Sequence, residues 1–181
     1  LQCLYTINAD GTDLQRLSCV EALGPTMPWC TEFYTCYHQY QDLAWSRDGR
    51  HVIAHVGTLV VNYQNPSDRF WMYTMWRTRT TTREQSQVPG SPDAIAPIAF
   101  SMSASPTLYY GQSDRPAIFQ LNYLTGAKVQ VAEGFLPSAS PDATKFAFVR
   151  SKGADLHARL YVANADGSAQ TPLAGPTAGV S

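Results

Sequence analysis

The chain has 181 residues, with 13 Lys and Arg against 14 Asp and Glu, for a net charge of −1 and only 15% charged residues. No global field therefore draws it to nucleic acid or to an acidic membrane surface, and no apolar run approaches the roughly 20 residues of a membrane-spanning helix. Abundant Tyr, Thr, Trp and Phe, bounded by Pro and Gly, point to strands, and the length suits one domain with a sizeable core.

The first element is a hairpin. Leu4-Tyr5-Thr6-Ile7 runs into Asn8-Ala9-Asp10-Gly11 and returns through residues 14–18. With a symmetric turn over residues 9–13, Asn8 pairs with Leu14 and Cys3 falls opposite Cys19. Facing residues of a non-hydrogen-bonded antiparallel pair lie about 4.5 Å apart at Cα, at the short end of the disulfide range. The four cysteines, Cys3, Cys19, Cys30 and Cys36, have no zinc-site or redox spacing. An even, clustered set in a strand protein implies disulfides and an oxidising compartment. Cys30–Cys36 follows by elimination, while the pairings 3–30/19–36 and 3–36/19–30 stay open, because sequence does not set connectivity.

Residues 19–41 read as a long insertion carrying Trp29, Phe33, Tyr34, Tyr37 and Tyr40. Such rings either bury one another as a stapled mini-core or form a contact surface. Next come two short strands around Asp48-Gly49, within Trp45-Ser46-Arg47-Asp48-Gly49. Arg77, Arg79 and Arg83 then fall on a later hairpin turn with Trp71, Tyr73 and Trp76 nearby. This group forms a solvated face, or a place where a sugar stacks or an anion is held. Residues 97–110 repeat the strand–turn–strand pattern in degenerate form, and Leu136–Phe148 repeat it around Ser140-Pro141-Asp142. Leu160-Tyr161-Val162-Ala163-Asn164-Ala165-Asp166-Gly167 nearly duplicates the opening hairpin. Asp10, Gly11, Asp48, Gly49, Asp142, Asp166 and Gly167 are thus turn residues of a repeat: Asp caps its own turn and Gly takes positive φ.

Trp-Ser-x-Asp-Gly before an apolar strand, followed by Leu-Tyr-x-x-Asn-Ala-Asp-Gly, resembles the WD-like repeat of TolB-type β-propellers. The likeness covers the chain apart from the insertion. It implies an all-β arc of four-stranded antiparallel blades, A to D from the hub outward. The first turn type joins A to B and the second joins C to D. In that frame residues 1–18 are a half-blade (strands C and D), 42–88 a full blade, 97–131 another and 136–173 a last one, about three and a half in all. Strands A and B of the first blade have no candidate, so an open arc, completed by a longer polypeptide or by other subunits, is expected. Inner strands should be apolar on both faces, as Ile53 with Ala54, Ile98 with Phe100, Phe146 with Phe148 and Val162 with Ala163 suggest.

The sequence contains no nucleophile elbow, His-Glu-x-x-His, phosphate-binding glycine loop or calcium loop. His51 and His55 lie about 13 Å apart along a strand, too far for one metal. The expectation is a protein without catalytic, metal or cofactor residues, acting outside the cytoplasm as an interaction or scaffold module. Its partners would be other protein subunits, the remainder of a longer chain, or further copies of itself. The rivals are the propeller portion of a prolyl-oligopeptidase-like serine peptidase and a structural subunit of a surface or filamentous assembly.

Overall fold

A computed structural model describes residues 2–19, 34–91, 98–112, 115–151 and 158–173. Those residues contain fourteen strands and no helix. They form a two-stranded sheet, β1 (Cys3–Thr6) with β2 (Gln15–Cys19), and three four-stranded sheets. Each of the three is an antiparallel meander of consecutive strands: β3 (Tyr34–Trp45) to β6 (Gln85–Gln87), β7 (Ile98–Met102) to β10 (Lys128–Ala132), and β11 (Phe135–Ala139) to β14 (Thr171–Pro172). The architecture is all-β and built of propeller blades. The chain divides into two compact units, Leu1–Pro97 and Ile98–Ser181.

In the first unit the β1–β2 hairpin lays Leu4 and Leu17 on one face of the β3–β6 sheet, against Val52, Ala54, Val56 and Trp76. Tyr40 borders this core, and its hydroxyl meets Ser18 Oγ at 3.0 Å and accepts from Gln85 Nε2 at 3.1 Å. Cys3 faces Cys19 and is bonded to it, with Cα atoms 3.9 Å apart. Cys36 is also disulfide-bonded, whereas Cys30 lies outside the described residues. One expected detail is corrected. Asn8 does not face Leu14; its N–H donates to Thr12 O at 2.9 Å. Asp10 Oδ1 accepts from the Thr12 N–H and so tightens the turn, and a register shift between Leu4 and Tyr5 restores the Cys3–Cys19 pairing.

The second blade departs from the expected boundaries. β3 begins at Tyr34, inside the stretch read as an insertion over 19–41, and pairs along its whole length with β4 (His51–Asn62), which in turn pairs with β5 (Arg69–Arg79). Tyr34 to Tyr40, rich in aromatic residues and Thr, lie opposite Asn62 to Val56, rich in β-branched residues, and satisfy the pairing preference of a sheet beyond the blade proper. These strands have 12, 12 and 11 residues, against five to seven for the inner strands of the last blade. The extra length is a ribbon standing beyond the blade.

In the second unit, Tyr109 and Ile118 of the third blade pack on Phe146, Phe148, Tyr161 and Ala163 of the fourth. Tyr109 stacks on Phe146 at 4.6 Å, and its hydroxyl donates to Ala165 O at 2.8 Å. Of the positions expected to be apolar on both faces, Ile53, Ala54, Phe146, Phe148 and Ala163 are buried, while Phe100 and Val162 are half-buried.

Candidate interaction surface

The ribbon of the second blade carries the most exposed aromatic group on a regular element. Register places Tyr37 opposite Leu59 and Leu59 opposite Trp71, so the three form one row on one sheet face. Tyr37 is 60% exposed, Leu59 and Trp71 are half-buried, and Tyr63, in the loop after β4, is 78% exposed. Trp71 stacks on Tyr73 with ring centres 6.2 Å apart, and Tyr73 meets His55 at 5.3 Å. Gly57, opposite Tyr73, allows this arrangement: a Cβ there would lie 3.3 Å from the Trp71 ring and 2.5 Å from Gln41 Nε2.

Several expected surface residues are not on the surface. Tyr73 and Trp76 are buried; alternation turns Trp76 toward Leu4 and Leu17 in the hairpin core, where its Nε1–H donates to Thr74 Oγ1 at 3.0 Å. Arg77 is half-buried in β5, with Nε donating to Ser86 Oγ at 2.8 Å. Tyr34 and Tyr40 are half-buried strand residues. Trp29 and Phe33 lie outside the described residues.

Arg79, the last residue of β5, and Arg83, on the turn that follows, remain exposed. Thr80 N–H donates to Arg50 O at 3.0 Å, so this turn sits beside the β3–β4 turn and its exposed Arg47 and Arg50. Four arginines, with Asp48 and Glu84 among them, thus gather at one end of the blade. Sequence reading missed Arg47 and Arg50 because only cross-strand pairing brings the two turns together.

His55 is buried, and its Nδ1 lies 3.6 Å from Asp42 Oδ2, an ion-pair distance but too long for a hydrogen bond. Burial pushes its pKa below the usual histidine value, and Asp42 opposes that shift in part. His38 is likewise lowered by burial and shares a 2.9 Å hydrogen bond with Thr58 Oγ1. Among the described residues no three His, Cys, Asp or Glu side chains gather as a metal site. A shallow cleft of about 420 Å³ lies between β10 and the last blade, bordered by Gln130, Glu133, Arg150 and Gln170. Arg150 is fully engaged there: it lies over the Phe148 and Tyr161 rings at 5.2 and 4.8 Å, donates to Glu133 O at 2.8 Å and bonds Gln170.

No protein-family model matches the chain, and no curated protein is similar to it. Solved structures similar to it include three. The first is an oligogalacturonate lyase in complex with manganese (19% identity over 88% of this chain and 40% of that one, TM-score 0.47). The second belongs to a mitotic checkpoint complex (14%, 94% and 42%, TM-score 0.49). The third belongs to a nidogen/laminin complex (9%, 81% and 64%, TM-score 0.45). The chain spans less than two thirds of the length of each. Its own geometry establishes an all-β architecture of four-stranded antiparallel propeller blades.

Proposed function

We propose that this chain is a non-catalytic, extracytoplasmic propeller segment of the TolB-like kind that binds other protein, as part of a longer protein or a complex. The observation that carries the reading is the Tyr37–Leu59–Trp71 row. It lies on strands that run past the blade and leave an aromatic face in water rather than in a blade-to-blade core. Rigid rings of this kind supply contact area at low entropic cost. The Cys3–Cys19 bond supports an oxidising compartment.

The test is a photo-crosslinking amino acid at position 37, in the intact protein within the cell that makes it. A discrete protein adduct is expected at position 37 and not at exposed, polar Thr81, and the adduct should vanish with Trp71→Ser. Equal labelling at both positions, or adducts that survive Trp71→Ser, overturns the reading.

A further inference from the structure

The end of the second blade opposite the ribbon gathers positive charge. Arg47 and Arg50 lie on the β3–β4 turn, Arg79 closes β5 and Arg83 lies on the turn after it; all four are exposed. Thr80 ties the two turns together: its N–H donates to Arg50 O at 3.0 Å and its Oγ1 to Gly49 O at 3.2 Å. Arg79 faces His51 across the sheet, and Arg77, two residues back, shares its face. The buried His51 registers the local field. Burial first, and then the charges of Arg77, Arg79 and Arg50, push its pKa below the usual histidine value, while Asp48 pulls the other way. Three guanidinium groups therefore converge on one imidazole.

These cations are not neutralised within the blade. Among the described residues, no carboxylate lies within ion-pair distance of Arg47, Arg50, Arg79 or Arg83. Asp48 Oδ1 accepts instead from Ser46 Oγ at 2.7 Å and from Arg50 N–H at 3.1 Å, which commits it to its own turn. Asp48 and Glu84 together stand against five arginines at this end, in a chain whose net charge is −1. Each of those cations is Arg and none is Lys, and a guanidinium fork pairs two-on-two with a carboxylate. The exposure does not depend on blade packing. Both turns lie at strand ends, off the two faces of the sheet, so a blade packed on either face leaves them in solvent.

We propose that this end of the blade docks an acidic surface of a protein partner, with Arg47, Arg50, Arg79 and Arg83 pairing with its Asp and Glu carboxylates. This rests on the reading of the chain as a protein-binding segment, and it supplies the charge of the partner. An exposed ion pair contributes little alone, so affinity needs several carboxylates presented together, as an acidic protein surface presents them. Trp45, the last residue of β3, is 53% exposed and leads into the Arg47–Arg50 turn. Trp and Arg are the residue types that anchor protein interfaces. Clustered positive charge also speeds encounter with an acidic partner, and salt screens that gain.

Binding of fluorescent poly-L-glutamate to the intact protein, followed by anisotropy, tests this. The expected result is saturable binding that weakens steeply as salt is added. Arg79→Glu with Arg83→Glu should weaken it by about tenfold or more. Arg115→Glu with Lys145→Glu, an equal change of net charge at exposed sites of the second unit, should leave it unchanged. Arg79→Gln with Arg83→Gln should give an intermediate loss, and matching thermal melts separate loss of charge from loss of fold. Alginate, whose carboxylates are fixed to sugar rings, should bind more weakly. No binding of poly-L-glutamate, equal losses in the two charge-reversed variants, or alginate binding as tight or tighter overturns the proposal. A position-37 adduct without poly-L-glutamate binding sinks this contact alone. Poly-L-glutamate binding without that adduct upholds it and sinks the ribbon contact alone.

Discussion

At the scale of single residues, two turns show what the repeat requires. Around Asp48, Ser46 Oγ donates to Asp48 Oδ1 at 2.7 Å and accepts from the His51 N–H at 2.8 Å; Arg50 N–H donates to Asp48 Oδ1 at 3.1 Å. Around Asp142 the same bonds recur with Ser140, Lys145 and Thr144, at 2.6, 3.0 and 3.1 Å. Gly49 holds φ of +68°, and Ala143 is held at +58° in the corresponding place, where a Cβ is unfavourable. Ala143→Gly should therefore stabilise the protein by up to about 1 kcal/mol in a denaturant titration, unlike most glycine substitutions. Gly49→Ala and Gly167→Ala separate two costs. A Cβ at Gly49 meets nothing within 4 Å, so only backbone strain of about 1 kcal/mol is expected. At Gly167 it would lie 2.1 Å from Val131 O, so that variant should lose clearly more and loosen the seam between the third and fourth blades. Hydrogen bonds from Ser140 and Thr144 hold the Asp142 carboxyl at a pKa of about 2. Its contribution to stability is present above the ordinary carboxylate pKa and lost as pH falls toward 2. Asp142→Asn should flatten that part of the acid unfolding curve.

At the scale of elements, the opening hairpin depends on its disulfide. Cys3 and Cys19 close a loop with a sequence separation of 16. Replacing both with Ser should cost about 3 kcal/mol of unfolding free energy in the chain-entropy account. The pairing was legible from counting residues, but the register irregularity that accompanies it was not: the tightness of the Asn8–Thr12 turn depends on which N–H groups Asp10 accepts. The ribbon of the second blade is hidden in the sequence for a related reason. Cys36 and the tyrosines of residues 34–40 look like part of an insertion as a linear string, and become strand only when the Val56–Asn62 segment of β4 is there to pair with them. The burial of Trp76 and Tyr73 is not legible in the sequence, because alternation specifies two faces without saying which one another element covers.

At the scale of the whole molecule, burial of imidazoles sets a pH dependence. The pKa values of His38, His51 and His55 are all lowered, chiefly by desolvation. The unfolded chain therefore binds protons more tightly than the folded one. Stability should be level above the unfolded histidine pKa, near 6.5, and decline as pH falls below it toward the lowered folded-state values. Thermal melts across that range should show the decline, and His55→Phe should remove part of it.

The sequence by itself determined the repeat: Asn-Ala-Asp-Gly and Ser-x-Asp turns are local devices, complete within a few residues, and they mark strand order directly. Only the tertiary structure decided which of two equivalent leucines or tyrosines is buried. Leu4 and Leu160 each precede the tyrosine of the same repeated hairpin and have opposite surroundings in space. Burial depends on whether a neighbouring blade is present, and no property of the residue itself records that.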